Sequence, residues 1–82
     1  MIKRRVMFTF PQELIKEPII FTLGHQFSVI PNIRRADISE DKDWVVLELE
    51  GGEKDIDESI AWVTSKGVRV APVVGDILEG YE

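Results

Sequence analysis

The sequence has no cysteine among its 82 residues, only one histidine, and no run of about 18 consecutive apolar residues. The first absence excludes disulfides, thiol catalysis and an iron–sulfur cluster held by the chain's own thiolates. The lone His25 leaves a catalytic triad or a transition-metal site without evident partners, and it falls off the apolar stripe of its helix, as an ordinary surface residue does. With no long apolar run, nothing is expected to span a membrane. The basic start Met1-Ile2-Lys3-Arg4-Arg5 resembles a signal peptide only briefly, because Thr9, Pro11, Gln12 and Glu13 break the apolar run behind it. A cytoplasmic domain is the simplest expectation. A glycine-rich phosphate loop is also missing, since Gly51-Gly52 has no accompanying lysine. Asp55-Ile56-Asp57-Glu58 lacks the glycine and the distal glutamate of a calcium loop. Positive charge is in short supply: 10 Lys and Arg against 15 Asp and Glu give a net charge of −5, which disfavours general attraction to nucleic acid or anionic lipid. Neither an enzyme, a cofactor nor a metal site is expected.

The residues that are present read as a single domain, 1–82, near the lower size limit for independent folding. Its strongest pattern is Asp43 to Glu50, where Val45, Leu47 and Leu49 alternate with Val46, Glu48 and Glu50 before Gly51-Gly52 end the strand. Upstream, Val6, Phe8 and Phe10 alternate with Arg5, Met7 and Thr9 in a first strand that stops at Pro11. Glu17-Pro18 then opens a helix with Ile19, Ile20, Leu23 and Phe27 as its buried stripe. Gly24 inside that helix points to close packing against a neighbour. Ser28 to Pro31 leads into a second strand, Asn32 to Ser39, with Ala36 and Ile38 on one face and Ile33, Arg35 and Asp37 on the other. It is the least apolar strand, which suits an edge. Glu40-Asp41-Lys42 forms a polar hairpin turn. Asp55 and Glu58 have the spacing of a capping box for a second helix with Ile56, Ile60 and Val63 buried; Lys66 and Gly67 mark its end. Val68, Val70 and Val74 make a last strand, and 76–82 reads as a loose tail.

The order β-α-β-β-α-β predicts an α+β, ferredoxin-like sandwich: a four-stranded antiparallel sheet in the order 4-1-3-2, with two helices on one face. That fold hosts unrelated functions. One RNA-binding family reads bases with aromatics on strands 1 and 3, but here those positions hold Arg5, Met7, Thr9, Trp44, Val46, Glu48 and Glu50. Two carboxylates repel phosphates, and Glu48 is better used in cross-strand pairs with Arg5 and Arg35. The open face is expected to show Met7, Ile33, Trp44, Val46, Ala71 and Val73, with Trp62 pointing away from its helix's stripe. Either the tail or a loop covers that face, or two copies pair there; Met7, Trp44 and Val46 are then the interface residues.

Several stretches together resemble the NIL domain, from about Met7 to Val74. They are Glu17-Pro18-Ile19-Ile20, Val29-Ile30-Pro31-Asn32-Ile33-Arg34, Val46-Leu47-Glu48-Leu49-Glu50-Gly51, Ile60-Ala61-Trp62-Val63 and Lys66-Gly67-Val68-Arg69-Val70. The family's Asn-Ile-Leu motif is matched by Asn32-Ile33-Arg34, with a charged residue at the third position. The resemblance implies a regulatory domain. Such domains end the ATPase subunit of methionine importers, where they pair, bind methionine and restrain transport; others are attached to ferredoxins. It also implies Asn32 as a ligand residue, since the motif asparagine lies in the importer's methionine site. A carboxamide donates and accepts, so it suits the backbone groups of an amino acid, with Ile30 and Ile33 as apolar walls. The plainer role for Asn32 is to tie a loop to its strand. Arg34 puts methionine specificity in question. The start at Met1 leads to the expectation of a stand-alone domain, acting through dimerisation or a separate chain. The alternative is an adaptor without ligand that partners a transporter or ferredoxin-type protein.

Overall fold

Strand β3 (Asp43–Gly51) lies inside a four-stranded sheet, between β1 (Ile2–Thr9) and β2 (Val29–Ile38), with β4 (Arg69–Pro72) beyond β1. The structure is a computed structural model that describes residues 1–11, 18–38 and 43–73. Every neighbouring pair of strands is antiparallel. Helices α1 (Ile19–Gln26) and α2 (Glu53–Ser65) complete the order β1-α1-β2-β3-α2-β4. The sheet order 2-3-1-4 is the expected 4-1-3-2 counted from the other edge. The Glu40–Lys42 turn, Glu17, Val74 and the tail from 76 lie outside the described residues.

Alternation along β3 determines the core. Val45, Leu47 and Leu49 point to one side, and the β1 register sets Phe8 opposite Val45 and Val6 opposite Leu47. These residues form one buried cluster with Ile19 and Leu23 of α1, Ile56 and Val63 of α2, and Val68. Ile20 and Phe27 of the expected first stripe are half-buried against it. Gly24 meets the close neighbour its position implies: a Cβ there would sit 3.0 Å from Pro31 Cδ.

Helix boundaries depart from the expected ones in ways that backbone hydrogen bonds explain. Pro18 is the N-cap of α1, not its first helical residue, because its carbonyl accepts from Thr22 N–H at 2.9 Å. Helix α2 starts at Glu53, with Gly52 as N-cap accepting from Ile56 N–H at 3.0 Å. Asp55 therefore lies inside the first turn and makes no capping box; its charge there still suits the positive end of the helix dipole. Ser59 joins Ile56 and Val63 on the buried stripe, its hydroxyl donating to Ile56 O at 2.7 Å, while Ile60 packs half-buried against the same cluster. Gly67 ends α2 with φ 97°, the left-handed conformation that favours glycine.

Gly51 serves a different purpose. It is not in a positive-φ conformation, but an added Cβ would fall 2.7 Å from Ser28 O, so close backbone approach selects glycine there. Trp62 also departs from expectation. It is half-buried against the core, its ring 5.8 Å from that of Phe27.

Candidate ligand site on the edge strand

Strand β2 forms the edge of the sheet and starts at Val29, three residues before the expected Asn32. Its register against β3 decides which face each residue presents. Ile30 lies opposite Glu50, Asn32 opposite Glu48, and Ile33 opposite Leu47. The pairing then slips, and Arg35 is opposite Val46, which leaves Arg34 as the extra residue of a bulge. Residues directly opposed across a pair share a face. Ile30 and Asn32 therefore lie on the sheet face away from the core, with Glu50 and Glu48. Ile33 lies on the Leu47 side.

This separates the two apolar walls expected for Asn32. Ile30 keeps its place beside Asn32 and is 54% exposed, whereas Ile33, 58% exposed, faces the helix side of the sheet edge. It also removes Ile33 from the expected open-face patch. The cause is the bulge: the alternation read back from Arg35 and Asp37 passes through an extra residue and inverts.

Glu48 joins the strands at this site. Its carboxylate accepts a hydrogen bond from Arg5 of β1 at 3.1 Å and lies 3.9 Å from the Arg34 guanidinium. The bulge thus brings Arg34 of β2 to the Glu48 carboxylate. The Arg5 hydrogen bond holds the Glu48 carboxyl below its ordinary range; burial opposes this, and the charges of Arg5, Arg34 and Lys3 add to it. Asn32, a carboxamide that donates and accepts, flanks the same carboxylate. A carboxylate, a guanidinium and an amide side by side offer counterparts for both ends of a zwitterion. In the sequence, Glu48 reads only as a pairing partner and Arg34 only as a departure from a motif. No compositional signal marks the bulge that brings them together.

The expected interface residues lie farther along the same face. Val46 is opposite Met7 and Arg35, and Met7 is in turn opposite Ala71. Val46 is only 1% exposed although it lies outside the helix-side core. Trp44, opposite Thr9 and Asp37, and Met7 are half-buried. His25 is exposed and stacks on Phe21 with ring centroids 5.2 Å apart. Among the described residues no group of three or more His, Cys, Asp or Glu is placed to hold a metal ion, and no helix is long and apolar enough to cross a membrane.

Comparison with known families matches the NIL domain over residues 4–72. Comparison with curated proteins gives no match. Among solved structures, the chain is similar to the C-terminal domain of an ABC transporter ATP-binding protein from Enterococcus faecalis, with a TM-score of 0.76. That match covers 89% of this chain and 86% of the other at 21% identity, a likeness of fold.

Proposed function

The chain belongs to the NIL domain family, and from that membership we propose a non-catalytic regulatory domain that binds a small zwitterionic ligand at the β2 edge. The observation that carries this reading is the grouping of Asn32, Arg34 and Glu48 on adjacent strands. An amino acid is the simplest ligand of that kind, its ammonium meeting Glu48 and its carboxylate meeting Arg34 and the Asn32 amide. Methionine is one candidate. The guanidinium at the third motif position favours a ligand with more polar character than a thioether side chain alone.

Asn32 is exposed, so this chain supplies one wall of a pocket. A second copy docking along the β2 edge would supply the other, and ligand and dimer would then stabilise one another. The likeness to a transporter's ATP-binding subunit supports a partner of that class, and with it a cytoplasmic setting. A thermal-shift panel of amino acids tests the proposal. A ligand at 100 times its dissociation constant adds about 2.7 kcal/mol of stability. No shift with any amino acid, on folded protein, removes this ligand class.

A ligand-free adaptor is the second reading. It is favoured by Ile30 and Ile33, exposed on opposite faces of one edge strand, as in a strand that receives a partner's strand. Under that reading the chain shows no thermal shift with any amino acid and yet binds a defined partner chain.

A further inference from the structure

We propose that the groove between α1 and α2 is a second binding site, for a small single-ring carboxylate. The groove encloses about 140 Å³ and is lined by Pro18, Ile19, Thr22, Trp62 and Lys66. All five belong to the helices or their caps, whereas Asn32 and Glu48 lie on the sheet face away from the core. The two sites are therefore distinct.

The lining has a definite chemistry. The Trp62 indole is held in place against Phe27 and the core, and Ile19 beside it is buried. Pro18 adds a second rigid apolar surface and Thr22 a hydroxyl. Lys66, the C-cap of α2, places its ammonium 5.4 Å from the centre of the indole ring. Its position offsets the negative end of the α2 dipole. Among the described residues it forms no ion pair, and none of those that line the groove is a carboxylate.

Size and charge together define the ligand. A cavity of about 150 Å³ admits benzene, so the groove, open on one side, has room for one six-membered ring. Set against Pro18, Ile19 and the side of Trp62, such a ring turns a carboxylate toward the ammonium over the indole and the Thr22 hydroxyl. A neutral ring would instead desolvate the ammonium without replacing its water.

Benzoate is the probe. The full chain carrying Trp44→Phe retains Trp62 as its one indole, and its fluorescence is followed during titration. The expected result is a saturable change, weakened about tenfold or more by Lys66→Met and likewise when benzamide replaces benzoate. Absence of a saturable change overturns the proposal. So does a change that benzamide matches and Lys66→Met leaves intact. Should Trp44→Phe fail to fold, the Trp62 indole N–H resonance of the parent gives the same comparison.

Discussion

Arg5 on β1 donates a 3.1 Å hydrogen bond to Glu48 on β3, and that bond fixes the carboxylate around which the edge-strand site is built. It lowers the Glu48 pKa from its ordinary value of 4.5. A carboxyl with a lowered folded value binds fewer protons folded than unfolded. Its contribution to stability is thus complete above the unfolded value and disappears as pH falls through the folded one. The parent is expected to lose stability more steeply below pH 4.5 than Glu48→Gln, as measured by urea melts across the acid range. Parallel curves for the two proteins would contradict the pairing.

Gly51→Ala sets a methyl 2.7 Å from Ser28 O, a backbone atom with no rotamer by which to swing away. The expected cost is roughly 1 to 3 kcal/mol, as for other overpacked sites. A thermal melt reads it directly. An unchanged melting temperature would show that the β2 entrance can retreat from β3.

The sequence disclosed the fold because its strongest signals are periodic. Val45, Leu47 and Leu49 alternate without a break, and Ile19 with Leu23, or Ile56 with Val63, recur at helical spacing; each set reaches the core as expected. Less legible were features governed by one backbone contact. The start of α2 moved to Glu53 because the Gly52 carbonyl already accepts from Ile56, so Asp55 never acts as a cap. Trp62 was misplaced because its pattern position does not reveal that Phe27, beyond the end of α1, turns back to meet it. At the site, Ile30 and Ile33 were both expected as walls beside Asn32, and the register sets only Ile30 on its face. A bulge carries no residue signature when the extra position is an arginine.

Leu47 is fully buried and belongs to the core cluster beneath the helices. Leu47→Ala is expected to cost about 2 to 5 kcal/mol, a large share of the stability of so small a domain. Denaturant unfolding measures it. A loss below about 1 kcal/mol would mean that the site collapses to fill the space.

Two substitutions distinguish fold from association. Val46→Asp puts a carboxylate where the side chain is 1% exposed, so it is expected to weaken the fold by roughly 2 to 5 kcal/mol. Ile30→Lys alters an exposed position on the edge strand, opposite Glu50, and should leave the melting temperature nearly unchanged while weakening the proposed self-association. Sedimentation equilibrium with circular dichroism on both variants provides the test. Unaltered self-association in Ile30→Lys would move the contact away from the β2 edge.

The most direct test of the ligand site is amide chemical-shift mapping on the isotopically labelled chain, titrated with pools of amino acids. The expected result is a saturable response from at least one pool, centred on the Asn32 side-chain amide and the backbone of residues 30–34 and 48, and abolished by Asn32→Ala. A saturable response confined to other residues, or none from any pool, would contradict the assignment of this edge as the ligand site.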